Sequence, residues 1–216
     1  MPASARALLG ERAARLSPYA ALLAGPAAVD GLLGPREIPR LWERHLLNCG
    51  AVVDDLPIGA DVLDIGSGAG LPGLVWALLR PDLHLVLVEP LLRRASFLRS
   101  AAAALGVADV EVVRARAEEL VGRREADVVA ARAVAPLTRL AALCLPLVRP
   151  GGEMWALKGQ GAAREVTEAN MALQRGGALN VRIATYGETV LQPPTTLVRV
   201  QVSSVPGLVE EGRSGE

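Results

Sequence analysis

The sequence predicts an α/β protein: a doubly wound sheet of seven strands, mostly parallel with an antiparallel last strand, preceded by a helical extension. Three observations predict it. From residue 60 onward, short β-like runs alternate with helical ones, the pattern of βαβ units on a parallel sheet. Between the first of these runs and its helix stand Gly66, Gly68, Gly70 and Gly73, too many glycines for an element interior and suited to a turn that lets a ligand approach the backbone. The last two β-like runs have no long helix between them, so they form a hairpin and the final strand runs antiparallel.

Each element has its own signal. Residues 3–16 and 18–33 read as two helices broken at Ser17-Pro18, with Ser17 as the N-cap and Pro18 in the first turn. Gly34-Pro35 breaks the chain again. A third helix is expected from Ile38 to Cys49, with Gly50 as its C-cap. On it Leu41, His45 and Cys49 recur at i, i+4 and i+8, a core-facing stripe, while Arg40, Glu43 and Arg44 face elsewhere. The later runs pair as strand 61–65 with helix 71–79, 84–89 with 91–105, 110–113 with a short helix from 116, 127–131 with 136–147, and 152–157 with 161–175. Strands 180–185 and 196–203 follow, with Gln192-Pro193-Pro194 between them. The expected organisation is a helical cap over 1–50, a sheet domain over 51–205 and a disordered tail over 206–216.

Composition narrows the function classes. The chain has 216 residues, half of them apolar, ample for a sizeable core. Its net charge is zero, so no global field draws it to nucleic acid, and any RNA contact must use a local patch. Arg36, Arg40 and Arg44, then Arg93-Arg94, then Arg123-Arg124 are candidate patches, each equally readable as a solvated face. Cys49 and Cys144 have no metal or redox spacing and read as buried small hydrophobes in a reducing compartment. No apolar stretch approaches the ~18 residues of a membrane helix, and residues 1–16 lack the apolar core of a signal peptide. The expectation is a soluble cytoplasmic monomer with no metal and no membrane association.

The ligand of the glycine turn is a question of register and charge. Gly68, Gly70 and Gly73 match the dinucleotide pattern GxGxxG but start late relative to the strand, whereas Gly66, Gly68 and Gly70 directly follow Asp64-Ile65. A carboxylate at that place repels a pyrophosphate, which prefers bare N–H groups and a helix N-terminus. S-adenosylmethionine has no phosphate and carries an ammonium and a sulfonium, so Asp64 suits it. Glu89 ends the next apolar run, 23 residues after Gly66, close to the ~20-residue spacing at which an acid reaches ribose hydroxyls; a strand-end acid paired with Arg93 or Arg94 is the alternative. Seven strands with a terminal hairpin is also the layout of class I, Rossmann-like S-adenosylmethionine-dependent methyltransferases, and a nicotinamide dehydrogenase would need a second domain for which the chain has no room.

Two basic residues stand at strand ends. Arg132 closes the fourth strand, where ligands of open α/β sheets bind; the alternative is a charge solvated at the sheet end. Lys158 closes the fifth and is the chain's only lysine, the other 22 basic residues being arginine. A compact point charge at this place points to a contact with substrate, against the alternative of chance survival. His45 is read as a core-facing residue or an RNA contact and is given no catalytic role.

With these motifs in hand, the sequence resembles the small-subunit rRNA guanine-N7 methyltransferase family, known as RsmG or GidB. The resemblance runs from Leu41 to Val202 and rests on Arg44-His45-Leu46-Leu47, on Leu63 to Gly73 with Arg80-Pro81, on Arg114 to Glu119, on Ala131-Arg132-Ala133 and on Ala156-Leu157-Lys158-Gly159. It implies transfer of a methyl group from S-adenosylmethionine to N7 of a guanine in the 530 loop of 16S rRNA, with the small ribosomal subunit as partner. It implies that Asp64, Gly66, Ser67, Gly68, Gly70, Leu71 and Glu89 serve the cofactor, that Ala117 and Glu118 lie beside its adenine, that Arg132 binds the cofactor as well as working at the site of transfer, and that Lys158 works there on the guanine or its phosphate. Two departures stand out. Asn48 replaces the family's usual Asp, and Thr195-Thr196 replace an Arg-His pair that often enters the last strand. The competing expectations are a class I methyltransferase acting on a small molecule or a protein, and a non-catalytic protein of ribosome assembly.

Overall fold

The computed structural model describes residues 1–25, 31–132 and 135–203. Seven strands make one sheet: β1 (Asp61–Ile65), β2 (His84–Val88), β3 (Val110–Val113), β4 (Ala126–Arg132), β5 (Val148–Lys158), β6 (Ala178–Tyr186) and β7 (Thr195–Val202). Their order across the sheet is β3-β2-β1-β4-β5-β7-β6. Strands β1 to β5 pair in parallel, and β7 runs antiparallel to both β5 and β6. This is the expected fold, terminal hairpin included. The strand order reverses between β1 and β4, so the crevice of the sheet opens at their carboxyl ends.

Side-chain parity sorts the core into two layers, because successive strand residues point to opposite faces. Val62, Leu85, Leu87, Val128, Ala130, Trp155 and Leu157 join one buried cluster. Leu63, Ile65, Val88, Val129, Ala131, Met154 and Ala156 join the other. Among the described residues these faces are covered by α1 (Ala3–Leu9), α2 (Ser17–Ala24), α3 (Gly73–Leu79), α4 (Leu92–Leu105), α5 (Leu137–Cys144) and α6 (Ala162–Arg175). Residues of α1 to α4 belong to the first cluster, and residues of α5 and α6 to the second. That division follows from right-handed crossovers: moving outward from β1 to β3 puts helices on one face, and moving the other way from β4 puts them on the opposite face. Parity therefore aims Asp64 and Arg132 at the face of α1 to α4, and Lys158 at the face of α5 and α6.

The amino-terminal segment departs from expectation. A single helix over 3–16 is replaced by α1 and a 3-10 stretch, Gly10–Leu16, which begins at Gly10 with φ +60°. The 3-10 stretch runs straight into α2, so Ser17 is its first residue and makes no side-chain cap. The expected helix from Ile38 to Cys49 is a 3-10 turn, Pro35–Arg40, then a π-helical turn, Trp42–Leu47, then a last α turn, Asn48–Gly50. Pro39 inside the first piece explains the break. The wider π turn buries Leu46 and Leu47 together and leaves His45 only partly buried, with Leu41 and Cys49 in the core. Leu9, Ala13, Leu16, Tyr19 and Leu23 share the buried cluster of β1 and α3. The tail over 206–216 and Ala133 lie outside the described residues. No helix among the described residues is long and apolar enough to cross a membrane.

Candidate active site

A cleft of about 990 Å³ opens at the carboxyl ends of β1, β2, β3 and β4. Its floor is the glycine turn, held to the end of β2 by its own amides. Gly66 and Ser67 N–H donate to the Val88 carbonyl at 2.9 and 3.1 Å, and Gly68 N–H donates to Glu89 Oε2 at 3.0 Å. Ser67 Oγ donates back to the Asp64 carbonyl at 2.8 Å. Gly66 and Gly68 have φ of +69° and +59°, a region other residues rarely adopt. A Cβ on Gly68 would meet only the Gly66 carbonyl at 3.8 Å, so that side of the turn is open for a ligand. The other two glycines serve packing. A Cβ on Gly70 would come within 2.8 Å of the Tyr19 hydroxyl, and one on Gly73 within 2.3 Å of Leu87 Cδ2. Tyr19 is fully buried and donates its hydroxyl to the Ala69 carbonyl at 2.5 Å, clamping the turn from α2.

The acids play different parts. Glu89 lines the cleft at 2 % exposure. Its Oε1 accepts from Leu91 N–H at 3.0 Å, and Arg94 stands 3.9 Å from Oε2. Each carboxylate oxygen can accept a further bond, so Glu89 can both fix the turn and take a hydroxyl. Asp64 does not line the cleft. It is fully buried behind the turn, where its Oδ2 accepts from Gly73 N–H at 3.0 Å and ties the start of α3 to β1. Its Oδ1 is buried with no hydrogen-bond partner, and burial pushes its carboxyl up to about 7 against the pull of the Gly73 N–H. A buried carboxylate oxygen lacking a donor favours a nearby cation and disfavours phosphate, so the floor fits a cationic, phosphate-free ligand. Ser67 and Leu71 line the cleft; Gly70 lies in the same turn. Ala117 and Glu118 lie on the 3-10 helix Ala117–Leu120, with Ala117 buried and Glu118 exposed, and the adjoining cleft wall is built from Arg114, Ala115, Arg116 and Glu119.

Arg132 is held by the π-helical turn. Its Nη2 donates to the Arg44 carbonyl at 2.9 Å and to His45 Nδ1 at 3.0 Å. A guanidinium only donates, so Nδ1 carries the lone pair and the proton is on Nε2. That proton is donated to Glu37 Oε2 at 2.7 Å. Burial and the Arg132 charge hold the imidazole below its ordinary range against the pull of the Glu37 carboxylate that accepts its Nε2–H, which keeps it neutral. His45 itself lines the cleft. Sequence reading missed this role because the π turn, not an α-helix, brings His45 there.

A second cleft of about 710 Å³ adjoins the first, and Arg132 lines both. Lys158 lies in it, 8 % exposed, donating from Nζ to Glu165 Oε2 at 2.7 Å and to the Ala135 carbonyl at 2.8 Å. Glu165 escaped notice in the sequence, although an acid in the first turn of the helix after Lys158 was the available signal. Arg40 and Arg44 also line this cleft. Arg123 and Arg124 lie instead with the starts of β1, β2 and β4, at the other end of the sheet, and Arg124 is paired to Glu111 at 2.6 Å. Among the described residues no three His, Cys, Asp or Glu side chains come together as a metal site.

Comparison with known proteins decides the family. The model of a family described as rRNA small subunit methyltransferase G, GidB, matches residues 12–192. The chain belongs to this family. Relatives named ribosomal RNA small subunit methyltransferase G in Streptomyces avermitilis and Salinispora tropica are 51% and 52% identical, over 95% and 91% of this chain and 87% and 84% of theirs. Among solved structures, a SAM-dependent O-methyltransferase from Thermotoga maritima is similar with a TM-score of 0.59 at 14% identity, covering 79% of this chain and 71% of that one. A SAM-dependent methyltransferase from Aquifex aeolicus gives 0.55 at 17% identity, covering 82% and 98%; these two show the fold alone. Asn48 and Thr195, which the sequence reading places at departures from the RsmG pattern, touch in the structure. Asn48 Nδ2 donates to Thr195 Oγ1 at 2.9 Å, and the Thr195 hydroxyl donates to the Asn48 carbonyl at 3.0 Å. Asn48 and Thr195 thus form a neutral, mutually satisfied pair.

Proposed function

We propose that this chain transfers a methyl group from S-adenosylmethionine to N7 of a guanine in the small-subunit rRNA, in its 530 loop. The observation that carries the reading is that the family match over 12–192 contains every residue lining the first cleft. When bound, S-adenosylmethionine supplies an electrophilic methyl on a sulfonium. Glu89 holds the ribose hydroxyls, the Gly66, Ser67 and Gly68 backbone with Gly70 and Leu71 carries the methionine end, and the Asp64 charge favours its cations. Ala117 and Glu118, with the 114–116 segment, flank the adenine.

Guanine N7 presents a lone pair and loses no proton on methylation. The chain therefore needs alignment more than a general base, which agrees with a neutral His45 already committed to Arg132 and Glu37. Arg132 acts where the two clefts meet and Lys158 within the second cleft, which takes the target base after it leaves its stack. Arg40 and Arg44 on its rim take the RNA phosphates. The test is methyl transfer from labelled S-adenosylmethionine to small subunits from cells lacking this methylation, mapped by cleavage at N7-methylguanine. A single modified guanine in the 530 loop is expected. Intact cofactor binding without incorporation into particles or rRNA would overturn the substrate.

A further inference from the structure

We propose that the Lys158–Glu165 pair reads the identity of the target base, with Lys158 donating to O6 and Glu165 accepting N1–H of a 6-oxopurine. The proposal rests on the transfer reaction above and adds how the second cleft chooses its base. Size and place come first. The cleft, about 710 Å³, is large enough for a nucleoside and meets the first cleft at Arg132. Leu157, Pro193 and Pro194 in its wall offer apolar surface to a ring.

The hydrogen-bond inventory then defines the ligand. The Lys158 ammonium has three protons and places two of them, on Glu165 Oε2 and the Ala135 carbonyl. Glu165 Oε2 receives both Lys158 and the Leu137 N–H at 2.8 Å. Its Oε1 receives none of the hydrogen bonds among the described residues, although the side chain is 24 % exposed. The pair thus presents one remaining donor beside one remaining acceptor. Both ends are fixed: the lysine by a backbone carbonyl, the glutamate by the first N–H of α5. Burial raises the Glu165 carboxyl, but the Lys158 and Leu137 hydrogen bonds outweigh it and keep it ionised.

A donor beside an acceptor matches an acceptor beside a donor. Guanine offers O6 next to N1–H. Adenine offers the reverse, an N6 donor next to the N1 acceptor, and would set donor against donor and acceptor against acceptor. Uracil shares the guanine pattern but has no N7 to methylate. The same geometry explains the lone lysine: a compact ammonium fits between a carbonyl, a carboxylate and a base oxygen, where a planar guanidinium does not.

The experiment uses the full chain and small-subunit particles rebuilt with rRNA carrying guanine, inosine or 2,6-diaminopurine at the target position. Inosine keeps O6 and N1–H and lacks only the 2-amino group, so its methylation should stay within about tenfold of guanine. Diaminopurine retains N7 but reverses the pair, and its kcat/KM should fall by at least about 100-fold. Glu165→Gln, which still offers an acceptor to Leu137 N–H, should lose a similar factor on guanine while its S-adenosylmethionine Kd stays within twofold. Lys158→Met should behave alike. Equal methylation of diaminopurine and guanine by the wild-type protein overturns the inference alone, and needs no variant to fold. Absence of methylation on guanine with cofactor bound overturns the transfer reaction, and this inference with it.

Discussion

Replacing Asp64 by Asn should change how stability depends on pH, in a direction fixed by burial. In the folded chain the Asp64 carboxyl is raised from 3.8 to about 7, chiefly by desolvation. Between about pH 4 and 7 the native state therefore keeps a proton that the unfolded chain releases. The sign follows from linkage: where the native state binds more protons, stability falls as pH rises. Roughly three pKa units at about 1.4 kcal/mol each make the loss on the order of 4 kcal/mol, complete above pH ~7. Asn cannot ionise and keeps an oxygen for the Gly73 N–H. The stability of Asp64→Asn minus that of the parent should thus rise by that amount from pH ~4 to 8, read by urea unfolding without cofactor. Carboxylates held below their ordinary range, such as Glu37, Asp82 and Glu165, gain stability in the opposite direction, but in both proteins, and cancel in the difference. Cofactor binding should move the other way, weakening in Asp64→Asn as the negative charge is lost. A difference flat with pH would refute the burial argument, and undiminished binding of S-adenosylmethionine would refute the role of the charge.

Three further outcomes are expected. Gly73→Ala places a methyl 2.3 Å from Leu87 Cδ2 and 2.8 Å from Asp64 Oδ2, so unfolding should show a loss of about 1–3 kcal/mol; Gly159→Ala, with nothing within 4 Å, should change stability by less than ~0.5 kcal/mol. His45 accepts from Arg132 only while Nδ1 is unprotonated, so transfer should decline as pH falls through its lowered pKa. In a pH–rate profile His45→Gln, which can both accept from Arg132 and donate to Glu37, should lack that acid limb, whereas His45→Phe should be slower at every pH; an unchanged limb in His45→Gln would assign it to another group. Asn48→Asp leaves the Thr195 hydroxyl one proton for two acceptors in a buried place, and chemical denaturation should report a cost of about 1–3 kcal/mol.

Most of the sheet was legible because its signals are local. Alternation, glycine turns and short apolar runs marked all seven strands, and the absent helix after 180–185 marked the reversed strand. The amino-terminal region was not. The stripe of Leu41, His45 and Cys49 fits an α-helix, and nothing in a single sequence announces the π turn that packing selects there. Of the expected site residues, Gly66, Ser67, Gly68, Leu71, Glu89 and Arg132 line the first cleft while Asp64, Gly70, Ala117 and Glu118 do not, and the partnerships were illegible. Parity along β4 and β5 sends Arg132 and Lys158 to opposite faces, so neither can help hold the other. Which elements meet them depends on crossover handedness and on where the chain before β1 docks. Glu165 is seven residues from Lys158 and Glu37 eight from His45, yet only the folded chain shows that both pairs close.

The partnerships change what the segment before β1 is. Read from sequence, residues 1–50 are a helical cap on the methyltransferase domain. In the structure Tyr19 holds the glycine turn through Ala69, and the Arg44 carbonyl and His45 hold Arg132. One contact reaches the cofactor floor and the other the junction of the two clefts. An arginine at a strand end carries long rotamer entropy and, unheld, would spend it in solvent. Three groups from the π-helical region and the turn before it, Glu37, His45 and the Arg44 carbonyl, fix its tautomeric partner, its direction and its depth. Because the α turn that follows directly contributes Asn48 to the second cleft, a shift of this one segment would move the second cleft and Arg132 together. Docking of RNA on Arg40 and Arg44 would act on that same piece of chain, which makes it the natural place for substrate engagement to be felt at the site of transfer.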